Sequence, residues 1–255
     1  MNVILTLTAF TWRSRLQSSA SFAFAGISLI PAFIAFMSMK YGEPIDNDLS
    51  LLREVVVPMN VYFTLPFITL FLTLPTISSL YEKGAIAYLF TRPVSRLKCI
   101  IGLFVGSFTS ALPFLVISAI SPAIVCALYA GNEVDSLGTF AIMHSLLLLI
   151  ALLPYCALCL LLSIWSKKPL LWASFFLFFW GSIIGSLPGD AKMFSLHHYV
   201  MGLAKSMCDI DKVAAGLIPP SAEPPADWLS VVVLLSVSAI FIYIANLSSK
   251  GRDVI

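Results

Sequence analysis

The sequence predicts an all-α membrane protein with six transmembrane helices and with both termini in the cytoplasm. Of its 255 residues, 59% are hydrophobic and only 11% are charged, and the mean hydropathy is +0.96. Soluble domains carry about 25% charged residues, so this composition favours an integral membrane protein. Six uncharged apolar runs, and an alternation of charge between the segments that join them, indicate the same architecture.

Residues 1–16 precede the first apolar run and are predicted to form an interfacial helix. Val3, Leu7 and Phe10 follow helical spacing, Trp12 suits the headgroup level, and two arginines after it provide a polar end. A frayed terminus is the alternative. No cleavable signal peptide is predicted, because the apolar residues come before the positive charges rather than after them.

Each of the six apolar runs is long enough for a helix to cross a bilayer, which takes about 20 residues. The predicted spans are residues 19–39, 57–80, 100–130, 139–165, 170–187 and 228–247. The third run is long for a single crossing, so its helix either tilts or breaks near Pro113 or Pro122. The whole chain, 1–255, is therefore predicted to be one transmembrane domain.

The charges of the connecting segments predict the orientation. The two termini, residues 81–98 and residues 166–169 together hold ten basic and two acidic residues, whereas the other three loops hold five basic and eleven acidic residues. Because basic residues accumulate on the cytoplasmic side, both termini and residues 81–98 are predicted to be cytoplasmic. Residues 188–227 then form an outer loop, with a short amphipathic helix at residues 196–207 and a proline-rich connector after it.

Several classes of function are disfavoured by what the predicted spans lack. They carry no Asp, Glu, Lys or Arg, which argues against a proton-driven or ion-driven transporter. His144 lies near the outer end of the fourth span and is predicted to be an interfacial residue rather than a relay. Intramembrane hydrolysis would need a nucleophile with a base, or paired Asp residues, and no G-x-x-x-x-G-K-[ST] loop is present. The chain is therefore not predicted to be an enzyme.

Two groups of residues have the chemistry of a metal or redox site. His197 and His198 lie near three methionines and Cys208, which are soft ligands, but a surface helix with its methionines toward the membrane is the favoured interpretation. Cys156 and Cys159 form a C-x-x-C pattern that lies within a span and has no partner pair. We therefore predict no catalytic residue, no cofactor and no metal in this chain.

Two G-x-x-x-G patterns permit close approach between helices. They are Gly102 with Gly106 and Gly181 with Gly185. Ordinary packing within one bundle and an interface between subunits are the two alternatives.

Residues 81–98, with the sequence YEKGAIAYLFTRPVSRLK, are charged although long apolar runs lie on both sides. A charge at the middle of a bilayer costs roughly 2.5–3.5 kcal/mol, so five charges require that this segment lie at a membrane face. Residues 82–90 can form a short surface helix, which Pro93 ends because proline disfavours helix in the residue before it. The apolar face of that helix would consist of Tyr81, Ala85, Tyr88 and Leu89.

The basic residues after this helix, namely Arg92, Arg96 and Lys98, would stand at the headgroup level. There they can bind lipid phosphates or acidic residues of a partner protein. A role in orientation alone is the plainer alternative for the arginines.

This segment resembles the corresponding loop of the ABC-2 type transporter permeases. The family pattern is an acidic residue, then Gly-Thr, a leucine-rich turn and Arg-Pro-Val-Ser-Arg. This chain has EKGA at residues 82–85 and YLFTRPVSR at residues 88–96. Its tail, GRDV at residues 251–254, is similar to the closing Arg-Asp-apolar pattern of the family. Ala85 in place of Thr, and the lack of a Lys after Gly102, depart from it.

The resemblance implies the membrane subunit of an ABC exporter, with type V exporter-like architecture, in the inner (plasma) membrane of a prokaryote. It implies pairing with a second copy of the chain or with a paralogous permease, and docking of a separate ATPase subunit that binds ATP and Mg. Nucleic acid is not an expected partner, because the net charge is only +2. The residues that would couple to the ATPase are Tyr81, Glu82, Lys83, Gly84, Tyr88, Leu89, Arg92, Pro93 and Arg96.

Spans without fixed charge suit a hydrophobic or amphipathic cargo, such as a lipid, a peptide or a drug-like molecule. Two alternatives to the exporter stay open at the level of sequence. One is a channel or carrier that works without ATP, and the other is a membrane scaffold or enzyme built on the same architecture.

Overall fold

A computed structural model gives the architecture of the chain. It describes residues 3–16, 20–41, 48–75, 95–130, 134–166, 168–181, 184, 193–210 and 225–251. These residues form helices and short connections, and none of them belongs to a β-strand.

We number the helices of the described residues α1 to α8. They are α1 (Val3–Leu16), α2 (Ala20–Ser28 and Ile30–Tyr41, with a turn at Leu29), α3 (residues 48–73), α4 (Arg96–Ala130), α5 (Val134–Trp165), α6 (Pro169–Trp180), α7 (Leu196–Cys208) and α8 (Asp227–Gly251). Five of them, α2, α3, α4, α5 and α8, are long and apolar enough to cross a membrane. They indicate a multi-pass membrane protein, and α6 is a shorter apolar helix.

The third helix, α3, alternates between α-helical and wider π-helical turns. Its pieces are Asp48–Leu51 (α), Leu52–Val56 (π), Val57–Met59 (α), Asn60–Thr64 (π), Leu65–Ile68 (α) and Thr69–Thr73 (π). Pro58 and Pro66 each stand at the start of an α piece that follows a π piece. A proline ring crowds the carbonyl four residues before it, and a wider turn ahead of the ring makes room for it.

This helix begins at Asp48, ahead of the start predicted at residue 57. Arg53 and Glu54 therefore lie in the first turns of α3 rather than in a loop.

The fourth helix, α4, is a single helix of 35 residues that contains both Pro113 and Pro122. The sequence left open whether this run tilts as one helix or breaks near one of these prolines, and it forms one unbroken helix. At 1.5 Å per residue it is about 52 Å long, well above the roughly 30 Å of a bilayer core. It packs against α1, α2, α3, α5 and α8.

We call the end of the bundle where α4 begins the loop end, because residues 81–94 precede it, and the opposite end the far end. A cluster of buried side chains at the loop end joins the first turns of α4 to the last turns of α5 and α8. Its members are Ile100, Leu103, Leu160, Ile164 and Ala245. Both α5 and α8 therefore run antiparallel to α4.

Two further pairs of contacts show the directions in which α3 and α2 run. Asn60 lies beside His144, and Thr73 lies beside Cys156, so α3 and α5 run in the same direction, toward the loop end. Phe24 packs against Phe114 and Phe36 packs against Tyr129, so α2 runs with α4. In the apolar stretches of α5 and α3, 78% and 67% of the residues are buried, against 22% for α2 and α8, so α5 and α3 are the centre of the bundle.

The two short helices lie end to end rather than side by side. Pro169–Ser174 of α6 contacts α5 and the last turn of α3, so α6 starts at the loop end. α7 runs antiparallel to the first half of α3, because Asp209 pairs with Arg53 near the far end and His197 stacks on Tyr62 deeper in the bundle. Gly181, which follows α6, contacts the ring of His197.

The predicted amphipathic helix at residues 196–207 is confirmed as α7, but its position differs from the predicted one. It lies within the bundle, against α3, α5 and α8, and not on a surface. Its apolar face is buried there: His197, Val200, Leu203, Ala204 and Cys208. Asp209 ends it in the left-handed conformation with φ of 55°, which Asp tolerates better than most residues.

Candidate functional site

The structure describes one of the nine residues predicted to couple to an ATPase. Arg96 is exposed in the first turn of α4, and its Nη1 atom donates a hydrogen bond to the backbone oxygen of Ser249 over 3.1 Å. The end of the predicted coupling segment is thereby tied to the end of α8. The other eight, namely Tyr81, Glu82, Lys83, Gly84, Tyr88, Leu89, Arg92 and Pro93, lie outside the described residues.

The N-terminal helix α1 lies along the first turns of α4 and runs in the same direction. Thr8 donates a hydrogen bond to the backbone oxygen of Gly102 over 3.5 Å, and a Cβ atom at Gly102 would lie 3.2 Å from Leu7. One helical turn further, Gly106 touches the buried Thr11. This G-x-x-x-G pattern therefore seats α1 within the same chain, which is the ordinary-packing alternative.

The same helix keeps a second, exposed apolar face beside its charges. Leu5, Phe10 and Trp12 are exposed on α1, next to the exposed Arg13. Burial lowers the pKa of Arg15 from its ordinary value by desolvation, but an arginine stays charged at neutral pH. The helix is fixed to the loop end of α4 and runs along it rather than across it, and its interfacial position stays a prediction.

A buried polar cluster joins α3, α4 and α5 in the middle of the bundle. The Asn60 amide donates to the backbone oxygen of Ser118 over 3.2 Å and lies 3.3 Å from Nε2 of His144. The Ser118 hydroxyl donates to Asn60 Oδ1 over 2.6 Å. All three side chains are fully buried, so the prediction of an interfacial His144 was wrong. Within the described residues, Nδ1 of His144 is buried without a hydrogen-bond partner.

Asn60 was not predicted from the sequence as a member of this site. The available signal was a carboxamide within an apolar run, because polar side chains inside spans usually face a partner in the bundle.

His197 is held between two tyrosines and a glycine. Its ring stacks on Tyr62, with ring centroids 4.8 Å apart, and Tyr155 Oη lies 3.2 Å from its Nε2 atom. On its other side the ring lies against Gly181, where a Cβ atom would come within 2.8 Å of Cε1. His197 is thus a packing and hydrogen-bonding residue that connects α7 to α3 and α5.

The metal and redox alternatives gain no support from the described residues. None of them form a group of three or more His, Cys, Asp or Glu side chains that could hold a metal ion. Cys156 and Cys159 are buried free thiols, and Cys156 Sγ lies 3.6 Å from Thr73 Oγ1. The C-x-x-C pattern therefore belongs to the core of the bundle.

Comparison with known proteins gives one family match. Residues 7–255 match the family described as Protein of unknown function (DUF2705). No curated protein matches the chain.

Proposed function

We propose that this chain, which belongs to the DUF2705 family, is the transmembrane permease subunit of an ATP-binding-cassette exporter. In this proposal a separate ATPase, which binds ATP and Mg, docks on residues 81–98 from the cytoplasm. Its closure drives a hydrophobic or amphipathic substrate out of the cytoplasm. The permease works as a pair with a second copy or a paralogous permease, in the plasma membrane of a prokaryote.

The continuity between the coupling segment and α4 is the observation that carries this proposal. Residue 95 leads directly into α4, which continues without a break to Ala130. A helix transmits displacement along its axis because each turn is hydrogen-bonded to the next. A push on residues 81–98 would therefore reach the far end of the bundle through α4.

Two contacts at the loop end support movement of several helices together. Gly102 and Gly106 hold α1 against the first turns of α4, and Arg96 holds the end of α8. Packed helices that share such contacts shift as a rigid body rather than bend separately. We expect α1, α4 and the end of α8 to respond to the ATPase as one unit.

The proposal includes six crossings of the membrane, of which the fifth is broken. Five of the described helices are long enough to cross. In this proposal the pair α6 and α7 forms the remaining crossing, the fifth along the chain, because α6 starts at the loop end and α7 ends beside Arg53 near the far end. Broken crossings of this kind occur in transporters where the irregular backbone is enclosed by protein.

A second candidate function is supported by His144. A buried imidazole inside a membrane span is a group that proton-coupled carriers use, and its Nδ1 atom has no partner within the described residues. Transport by the purified chain in liposomes without nucleotide, lost on His144→Gln, would establish a carrier. Transport that needs the ATPase would exclude it.

The exporter proposal is tested by purification of the tagged chain from its native membrane. Mass spectrometry of the eluate identifies any co-purifying ATP-binding-cassette ATPase, and hydrolysis of ATP is measured in the same eluate. We expect Glu82→Lys and Leu89→Asp to lower the recovered ATPase at least several-fold, because they reverse a charge and interrupt an apolar face at the proposed interface.

The matched controls are the same substitutions in the loop predicted to lie outside, Glu223→Lys and Leu217→Asp, and they should leave the recovered ATPase unchanged. All four variants must elute from size exclusion like the wild type. Undiminished ATPase in both loop variants, or equal loss in the controls, would contradict docking on residues 81–98.

A further inference from the structure

A cavity of about 270 Å³ lies between α5, α6, α7 and α8. Its walls are the apolar side chains of Leu158, Leu162, Leu177 and Phe241, together with other apolar residues of the same helices. Three of the aromatic side chains that line it are exposed, namely Trp165, Trp180 and Phe194, so the cavity opens to the surface of the bundle between them. A cavity of roughly 150 Å³ accommodates benzene, so this one is large enough for a bigger molecule.

The inner end of the cavity is polar. Ser195, His197 and Tyr155 line it there. The Ser195 side chain is only 1% exposed, yet its hydroxyl has no hydrogen-bond partner among the described residues. An unpaired buried hydroxyl costs about 1–3 kcal/mol, so a ligand oxygen at this point would recover a hydrogen bond that the protein alone does not make.

Ser195 also marks the N-terminus of α7, a helix of 13 residues. A serine at this position usually caps the helix with its side chain, but this hydroxyl makes no such bond. The first N–H groups of a helix and its dipole favour an electron-rich atom nearby. The hydroxyl and the helix terminus together therefore favour a ligand that presents a hydroxyl or carbonyl oxygen.

No described residue that lines the cavity carries a formal charge. Burial of an unpaired carboxylate or ammonium group is strongly unfavourable, so the ligand must be uncharged in the part that enters.

We propose that this cavity binds one small, uncharged amphiphile, with its hydroxyl or carbonyl oxygen at Ser195 and its apolar body among the leucines of α5 and Phe241. Its opening extends from Trp165, where α5 ends at the loop end of the bundle, to Trp180 and Phe194. The binding itself needs no ATPase. Its role as a place where cargo is collected from the cytoplasmic leaflet rests on the proposed function.

The test is tryptophan quenching by bromine-labelled probes in purified protein held in lipid nanodiscs. Trp12, Trp172 and Trp228 are replaced by Phe, which leaves Trp165 and Trp180 at the cavity. The probes are bromohexanol, bromohexane and bromohexanoate. We expect saturable quenching by bromohexanol, quenching by bromohexane at about three- to ten-fold higher concentration, since one hydrogen bond is lost, and no saturable quenching by bromohexanoate.

Two variants separate the polar end from the apolar walls. Ser195→Ala should weaken the binding of bromohexanol about three- to ten-fold, so that its affinity equals that of bromohexane. The affinity of bromohexane should stay unchanged. The matched control is Ser236→Ala, since that exposed hydroxyl bonds only to its own helix. Leu161 is a half-buried residue of the cavity wall. Leu161→Phe should weaken the binding of both uncharged probes, because the larger side chain takes up space in the cavity.

Linear, unsaturable quenching by all three probes would overturn the proposal, because that is simple partition into the bilayer. An unchanged preference for the alcohol in Ser195→Ala would also overturn the assignment of the polar end. Should Ser195→Ala fail to fold, Leu161→Phe still decides whether the probes occupy this cavity. Saturable binding in a protein that recovers no ATPase would leave this inference intact while the exporter proposal fails.

Discussion

Gly106 of α4 and Thr11 of α1 lie in direct contact, so that any side chain at residue 106 would overlap the threonine. A methyl carbon there would come within 2.9 Å of Thr11 Cβ and still closer to the hydroxyl. The close approach of α1 to α4 at this point therefore depends on the absence of a side chain at residue 106.

Gly106→Ala should destabilise the protein by about 1–3 kcal/mol, the typical cost of overpacking. Thr11→Ala in the same chain should recover most of this loss, because it removes the atoms that collide. Thermal unfolding in detergent measures both. Gly138→Ala is the matched control, since a methyl group at that helical glycine of α5 meets nothing within 4 Å, and equal destabilisation by the two glycine variants would contradict the contact.

Asn60→Ala should destabilise the protein by about 1–2 kcal/mol, because it leaves the Ser118 hydroxyl and His144 Nε2 buried without their partner. Asn60→Leu with His144→Leu should cost less than the sum of the single changes, since both ends of one hydrogen bond are removed together. Asn246→Ala, at a half-buried asparagine of α8, is the control. Strict additivity in the double variant would count against the cluster.

The ion pair between Arg53 and Asp209 fixes the direction of α7, with Nη1 and Oδ2 3.1 Å apart. The side chains are 33% and 70% exposed, so the pair should contribute at most about 1 kcal/mol. Arg53→Gln and Asp209→Asn should each lower the unfolding temperature slightly, and asparagine keeps the left-handed conformation of residue 209. The two changes together should cost less than the sum of the single changes, and a double variant that loses the full sum would mean that the two side chains do not pair in the membrane.

The proposal that α6 and α7 together form the fifth crossing can be tested with a membrane-impermeant maleimide on intact cells. All five native cysteines are buried, so the wild type should not react. Lys168→Cys and Lys250→Cys should both be labelled only after the cells are opened, because two crossings separate them in the six-span arrangement. Labelling of one of them from outside would show that α6 and α7 together do not cross.

The long helices could be predicted from the sequence because each is a run of apolar residues of sufficient length. Both ends of α7 could be predicted almost to the residue from its amphipathic pattern. Its position could not, because one apolar face suits a membrane surface and a bundle interior equally well. His197 and Gly181 meet only when two separate helices are joined, and no spacing along the chain reports that contact.

For residues 81–98 the sequence contributes more than the structure does. Their sequence pattern carries the functional prediction, whereas the described structure contributes only the exit of the segment into α4 and the anchor at Arg96. The polar cluster was underestimated because Asn60 is a single residue in an apolar run, and its partners lie on two other helices.

The wide turns of α3 have a consequence for its tolerance of length changes. Each π turn bonds residue i to i+5 rather than i+4, so it holds one residue more than the α turn it replaces. Deletion of a residue from such a turn, for example Phe63 in Asn60–Thr64, returns the turn to α geometry and takes away the room for the ring of Pro66, so we expect it to be tolerated only together with Pro66→Ala. The length of α3 is thus coupled to its prolines.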